Sequence, residues 1–172
     1  QARIIGVEKT PMKIGDKEIT FETAVRPREV RAIIDNGQAI LLSKEYRHEQ
    51  DDYDYRLPGG KIFETLQEYL DRREEDMIPY AQKAIVRECE EEVGITIKNP
   101  EYFSRTSPTA TIEAWLSYFV ITEYEGTPTE QNTDEGEHII PEWVPYQQVS
   151  RWCLQGIIGE EFSALMLLRY LH

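Results

Sequence analysis

Three glutamates on one short segment are the residues of this chain best suited to chemistry. They lie within Arg87–Ile95, inside a stretch, Pro79–Gly94, that predicts a helix because proline is tolerated in a first turn and glycine commonly ends a helix. At about 100° per residue, Glu88, Glu91 and Glu92 share one arc of that helix. A separate arc is apolar and is predicted to face the core: Ile85, Val86, Cys89 and Val93.

This acidic face is either a solvated surface or a metal site. Most acidic helix faces are solvated, but here only Arg87, at the edge of the cluster, could offset the repulsion between the i, i+4 neighbours Glu88 and Glu92. The acids also lie toward the helix C-terminus, where the macrodipole disfavours negative charge. Both costs disappear if a hard cation binds oxygen ligands there. The pattern therefore favours a Mg²⁺ site, with Mn²⁺ as an alternative ion.

The same segment carries a resemblance to a known family. Arg87–Ile95 resembles the second half of the Nudix box, G-x5-E-x7-R-E-U-x-E-E-x-G-U with U apolar, and meets every fixed position of that half. Upstream, Leu57–Ile62 reads Leu-Pro-Gly-Gly-Lys-Ile and resembles the loop that opens the box in many members. The resemblance implies one Nudix hydrolase domain over residues 1–172, of the α+β class, built as an α/β/α sandwich with a mixed central sheet.

The first half of the box departs from the family pattern. The box arginine should follow the opening glycine by 14 residues, but Arg87 follows Gly60 by 27, so 13 extra residues intervene. They include Leu66–Asp76, which could form a short helix. The position of the first box glutamate holds Pro79. Four nearby glutamates could take its place, and the sequence does not choose among them: Glu64, Glu68, Glu74 and Glu75.

The rest of the chain is similar to the ADP-ribose pyrophosphatase branch of the family. Tyr46–Arg47 resembles its Q-Y-R element, and Ser107–Pro108 followed by Glu113 resembles its S-P-G…E segment. Asp134–Glu137 resembles a D-E-x-E stretch on a mobile loop, although its composition equally fits a disordered surface loop. Gly156–Ile158 and the closing helix resemble the branch's ending. These matches make ADP-ribose the expected substrate.

The resemblance also implies a role for each of these positions. The implied metal ligands are Glu88, Glu92, the carbonyl oxygen of Gly59 and, once its loop closes, Glu137. The implied catalytic residues are Glu135 as general base, Arg87 and Glu91, the last also a candidate ligand. The implied substrate-binding residues are Arg47, Arg56, Glu113 and Gly60. Arg56 stands where the branch usually has glutamate, so the substrate remains open.

Three functions therefore follow from the sequence. The first is Mg²⁺-dependent cleavage of the pyrophosphate bond of ADP-ribose, which yields AMP and ribose 5-phosphate, with the metal cancelling phosphate charge and activating a water. The second is the same chemistry on another nucleotide sugar, a dinucleotide or a nucleoside triphosphate. The third is a Nudix-fold module that binds a ligand without turnover, which the stretched box and Pro79 would suit.

Composition narrows the partners and the compartment. A net charge of −13 and a pI near 4.7 would repel a long phosphate polymer, so nucleic acid is not an expected partner. No apolar run is long enough for a membrane span, and no signal peptide is expected. Two distant cysteines suit a reducing compartment, so we expect a cytoplasmic protein. The branch implies a homodimer in which residues 1–30, and Ile14–Val25 in particular, contribute to the interface.

The elements that must position these residues can also be predicted. Alternating or β-branched apolar residues predict five strands: Lys17–Val25, Val30–Asp35, Gln38–Ser43, Glu113–Thr122 and Ile139–Val144. Asn36 and Gly37 predict a hairpin turn between the second and third of them. Two further helices are predicted at Gln147–Gln155 and about Glu160–Leu171. Strands, a helix, more strands and a closing helix indicate an α+β domain.

Overall fold

The elements of this protein are taken from a computed structural model that describes residues 4–47, 51–107, 109–129 and 138–172. The strands of this part of the chain are β1 Gly6–Ile14, β2 Lys17–Val25, β3 Glu29–Asp35, β4 Ala39–Arg47, β5 Asp52–Arg56, β6 Thr96–Lys98, β7 Glu101–Thr106, β8 Ile112–Glu113, β9 Leu116–Ile121, β10 Glu123–Glu125 and β11 Ile139–Pro145. Its helices are α1 Leu66–Leu70, α2 Ile78–Val93, α3 Tyr146–Gln155 and α4 Glu161–Leu171.

The central sheet is mixed and lies between two layers of helices. Its strands follow the order β11-β4-β3-β9-β7, with β5 added to β4; β3 and β9 are parallel and the other pairs are antiparallel. α2 packs on one face of the sheet, whereas α3 and α4 pack on the other. The predicted α/β/α sandwich with a mixed central sheet is confirmed.

β3 is buried on both faces because it lies inside the sandwich. Val30, Ala32 and Ile34 pack toward α2, and Ile33 packs toward α3 and α4, as the two-residue period of a strand requires. Arg31, near the middle of the strand, is a buried charged residue. Its guanidinium donates to both carboxylate oxygens of Glu160, at 3.2 and 3.0 Å, so the buried charge is paired.

Part of one edge of β3 is not paired with β4, and the loop Leu57–Ile62, called the glycine loop below, occupies that edge. β4 pairs with β3 at only two positions, and β5 then takes over that edge of β4. The freed edge of β3 bonds instead to Leu57–Ile62: the amide of Val30 donates to the Gly60 oxygen at 2.9 Å, and that of Ala32 donates to the Pro58 oxygen at 2.8 Å. The loop is therefore held along the central strand like a further strand.

The predicted long strand Glu113–Thr122 is wrong in one respect, because it is two strands. β8 pairs in parallel with β2 in a separate three-stranded sheet, whereas β9 belongs to the central sheet. The chain crosses between the two sheets at Ala114 and Trp115, and the guanidinium carbon of Arg105 lies 4.3 Å from the ring centroid of Trp115. The sequence does not reveal this crossing, because apolar residues continue through it.

The other predicted elements are confirmed within a few residues. β2 has the predicted bounds, β3 and β4 form the predicted hairpin, and α2 ends at Gly94, whose φ of 68° is the left-handed conformation of a glycine cap. The short helix expected in Leu66–Asp76 is α1. Among the described residues, no helix combines the length and the apolar character needed to cross a membrane.

Candidate active site

The acidic residues of α2 differ in burial although they share one face. Ile85, Cys89 and Val93 are buried against the sheet, as the apolar stripe predicts. The side chain of Glu91 is 58% exposed, whereas that of Glu88 is only 13% exposed. α2 therefore turns part of its acidic face toward the protein, which a purely solvated face would not do.

Glu92 is bound by the backbone of the glycine loop. Its Oε2 accepts the amide proton of Gly59 at 2.8 Å. The pKa of Glu92 is raised to about 8: burial is the largest cause and the charge of Glu88 adds to it, while the Gly59 amide and the charge of Arg31 act in the opposite direction. A bound cation would favour the ionised form that burial disfavours.

Glu88 lies against the other glycine of the pair. A Cβ atom on Gly60 would lie 2.7 Å from Cδ of Glu88, so only glycine lets the carboxylate approach the backbone this closely. Burial raises the pKa of Glu88, whereas its hydrogen bond from Arg87, 2.6 Å, lowers it. Two adjacent glycines thus face two carboxylates one helical turn apart.

The conformation of Gly59 makes a strong prediction for Gly59→Ala. Its φ is 145°, and an added Cβ would lie 2.9 Å from the carbonyl carbon of Val30 and closer still to the oxygen. Since Val30 belongs to the buried central strand, we expect a loss of more than about 3 kcal/mol in urea denaturation. Gly15→Ala is the control, because Gly15 has φ 60° but open space around it, and it should lose only about 1 kcal/mol. Equal losses in the two variants would contradict this steric account.

Arg87 connects the helix to the loop. Its Nη2 donates to the Lys61 carbonyl oxygen at 2.9 Å and to Oε1 of Glu88, and Nε lies 3.7 Å from Oε2 of Glu91. The same guanidinium lies 3.5 Å from Oε1 of Glu64. Arg87 therefore fixes the orientation of Glu88 while it bonds the backbone of the loop.

The structure separates the four glutamates that the sequence left open. Glu64 is the one beside Arg87. Glu68 completes the capping box of α1, and Glu75 accepts a hydrogen bond from the hydroxyl of Tyr80 at 2.7 Å. Glu74 is almost fully exposed. Only Glu64 thus takes the position beside the box arginine.

A divalent cation fits the donors that this site offers. The Glu88 and Glu92 carboxylates and the Gly59 carbonyl oxygen are hard oxygen donors, as Mg²⁺ prefers. Within residues 4–47, 51–107, 109–129 and 138–172, no three His, Cys, Asp or Glu side chains converge as a metal site. Glu135 and Glu137 lie outside the described residues.

Comparison with known proteins identifies the family. A model of the NUDIX domain matches residues 25–159. The chain belongs to the Nudix family. The expectation of a Nudix enzyme is thereby confirmed at the level of the family. No curated protein sequence matches the chain.

Solved structures of Nudix proteins share its fold. An ADP compounds hydrolase has a TM-score of 0.72 at 18% identity, covering 99% of this chain and 87% of that one. A mutator MutT protein from Bacillus halodurans has a TM-score of 0.58 at 23% identity, with coverage of 84% and 82%. A MutT NUDIX hydrolase from Burkholderia pseudomallei has a TM-score of 0.52 at 22% identity, with coverage of 72% and 86%. At these identities the likeness concerns the fold.

Three of the four expected substrate-binding residues lie at the ends of three different strands. Arg47 ends β4, and its backbone pairs with Asp52. Arg56 ends β5, and its Nε donates to the buried carboxylate of Asp54 at 2.7 Å. Glu113 ends β8. The structure thus gives Arg56 an internal acidic partner.

Two residues that sequence reasoning missed act on the carboxylate of Glu92. The charge of Glu45 raises the pKa of Glu92, and that of Arg31 lowers it, so both lie near this acid. Glu45 was detectable, because it directly precedes the Tyr46–Arg47 element and shares the strand face of Leu41. Arg31 offered no local signal, since its partner Glu160 is 129 residues away in sequence.

Proposed function

We propose that this protein is a Mg²⁺-dependent Nudix hydrolase that cleaves the pyrophosphate bond of a nucleoside diphosphate derivative, with ADP-ribose as its substrate and AMP and ribose 5-phosphate as products. The observation that carries the proposal is the pair of close contacts between Glu92 and Gly59 and between Glu88 and Gly60. Neither contact would be expected if the acidic face of α2 were only solvated.

The chain's own residues would prepare the site for this reaction. The Gly59 amide fixes one oxygen of Glu92, and Arg87 fixes one oxygen of Glu88, so the remaining oxygens and the Gly59 carbonyl can face a cation. Bound Mg²⁺ would supply neutralisation of the pyrophosphate charge and a more acidic water. Glu135 would remove the proton of the attacking water, Glu137 would add a ligand, and Arg47 would bind a phosphate or the base.

Substrate choice is tested by a panel of pyrophosphate compounds. The wild-type protein, with Mg²⁺, should hydrolyse ADP-ribose with a higher kcat/KM than other nucleotide sugars, dinucleotides or dNTPs. The similarity of Tyr46–Arg47 and Glu113 to the ADP-ribose pyrophosphatase branch supports this order, as does the fold shared with an ADP compounds hydrolase. A higher kcat/KM for another member of the panel would show that this other compound is the substrate, while the proposed pyrophosphate hydrolysis would stand.

A binding module without turnover is the second candidate, because Pro79 replaces the first box glutamate. Against it, Arg87 still has a carboxylate neighbour from the insertion, Glu64. Binding of ADP-ribose without hydrolysis of any panel member would favour this candidate.

We also propose that the protein is a homodimer. β1 and β2 form a hairpin of nine residue pairs, and this hairpin and the two residues before it expose large apolar side chains: Ile4, Ile5, Val7, Met12, Ile14, Ile19 and Phe21. Such a surface commonly marks an interface. Light scattering should give about twice the 20.1 kDa of one chain, and Val7→Asp with Ile14→Asp, at positions 62% and 56% exposed, should halve that mass. A wild-type mass near 20 kDa at micromolar concentration would contradict the proposal.

A further inference from the structure

The 13 extra residues of the Nudix box form a packed unit between the glycine loop and α2. Thr65 caps α1 in a reciprocal capping box with Glu68. Leu66 and Tyr69 of α1 are buried in a small cluster with Val25 of β2 and Met77. The insertion thus has its own hydrophobic contacts, and they reach the strand that β8 pairs with.

Tyr69 connects this unit to Glu113. Its side chain is fully buried, and its hydroxyl donates to Oε1 of Glu113 while it accepts a hydrogen bond from Nε of Arg28 at 3.1 Å. Burial raises the pKa of Tyr69 to about 12, so the hydroxyl remains a donor at neutral pH. The guanidinium of Arg28 also lies 5.5 Å from the centroid of the tyrosine ring. Oε1 of Glu113 is therefore held from the insertion.

Glu113 depends on this support because its own strand is short. β8 has two residues and meets β2 at two positions, so few backbone hydrogen bonds fix it. Arg73, which follows α1, lies close enough for the charge of Glu113 to raise the pKa of Arg73. The Tyr69 hydroxyl, which Arg28 contacts in turn, and the nearby Arg73 thus support this carboxylate from outside β8.

The insertion also reaches the N-terminal hairpin. Nη1 of Arg73 lies 2.7 Å from Oε1 of Glu8 on β1. A Cβ atom on Gly6, at the start of β1, would lie 2.8 Å from Cδ2 of Leu66, so the strand packs closely on α1. The insertion therefore contacts both the hairpin, through Leu66 and Arg73, and Glu113, through Tyr69.

We infer that the box insertion is a brace that positions Glu113 for the substrate and fixes the N-terminal hairpin, with Tyr69 and Arg73 as positioning residues. The substrate part rests on the proposed function; the connection between insertion and hairpin does not. Tyr69 is buried, so it acts through Glu113 and not by touching a nucleotide.

Steady-state kinetics test the role of Tyr69. Tyr69→Phe removes one hydroxyl and should raise KM by about tenfold with kcat little changed, as Glu113→Gln should, and the double variant should show little further change. Tyr80→Phe is the matched control, because its hydroxyl bonds to Glu75 on the exposed side of the insertion. Equal KM values for Tyr69→Phe and Tyr80→Phe would overturn the positioning of Glu113.

Hydrogen exchange without nucleotide tests the brace independently of turnover. Arg73→Gln should speed exchange in β1 several-fold and leave α2 unchanged. Arg72→Gln is the control, because Arg72 bonds back to the carbonyl oxygen of Glu68 within the insertion. Unchanged exchange in β1 for Arg73→Gln would overturn the brace. A wild-type protein that hydrolyses no pyrophosphate compound would instead overturn the proposed function, while the exchange result still decides the brace.

Discussion

Glu92→Gln is expected to reduce Mg²⁺-dependent hydrolysis by about a thousandfold or more in a protein that remains folded. The variant keeps the size of the side chain and an oxygen that can accept the Gly59 amide. It removes the charge that would hold the cation, and metal stabilisation of developing charge is worth several kcal/mol. Glu88→Gln should behave alike. Glu90→Gln is the control, because Glu90 is an exposed acid of α2 that accepts the Thr96 hydroxyl.

The stability of Glu92→Gln without metal gives a second readout. In the folded protein, the pKa of Glu92 is about 8, above its ordinary value of 4.5. The free energy of unfolding is therefore highest below pH 4.5. It falls by about 1.4 kcal/mol per pH unit as the pH rises toward 8, where Glu92 ionises in the folded protein. Urea denaturation in a chelator should show this loss in the wild type but not in the variant. Identical pH profiles, or near wild-type turnover, would mean that the acidic face is merely solvated.

Glu135→Gln is expected to lower kcat by about 10²–10⁴-fold with KM and metal affinity little changed. A glutamine can still form hydrogen bonds but cannot take the proton of the attacking water, and general-base catalysis contributes about this factor. Loss of metal affinity as well as rate is expected for Glu137→Gln, a candidate ligand in the same segment. Both residues lie outside the described part of the chain, so the prediction comes from the sequence. Full kcat in Glu135→Gln together with a loss in Glu113→Gln or Glu91→Gln would assign the base elsewhere.

The sequence was most informative where a local pattern sets the structure. The helical period of Ile85, Cys89 and Val93 and the glycine cap at Gly94 predicted α2 within one residue at each end. β2 and the β3–β4 hairpin followed from alternation and from Asn36-Gly37. These signals depend only on neighbours along the chain, which is why they were sufficient.

Some strands escaped prediction for identifiable reasons. β1 contains Pro11 and exposes most of its side chains, so it lacks a buried alternating face. β5 did carry a period of two, with Tyr53 and Tyr55 between charged residues, but it is short and polar. The break between β8 and β9 depends on the pairing of β8 with β2, a contact between distant parts of the chain.

Within the site, the contacts of Glu88 and Glu92 could be determined only from the folded structure. The sequence selected Glu88, Glu92, Gly59 and Gly60, but not which glycine meets which carboxylate. The choice of Glu64 as the neighbour of Arg87 depends on how the insertion packs. The hydrogen bond between Tyr69 and Glu113 spans 44 residues, and no local pattern indicates it.

The most direct test of the central claim is the formation of AMP from ADP-ribose, followed by chromatography as the Mg²⁺ concentration is varied. The proposed site predicts equal amounts of AMP and ribose 5-phosphate at millimolar Mg²⁺, no reaction in a chelator, and almost none with Glu92→Gln at any Mg²⁺ concentration. ADP-ribose that stays intact with the wild-type protein in both Mg²⁺ and Mn²⁺, or that is cleaved equally well by Glu92→Gln, would contradict it.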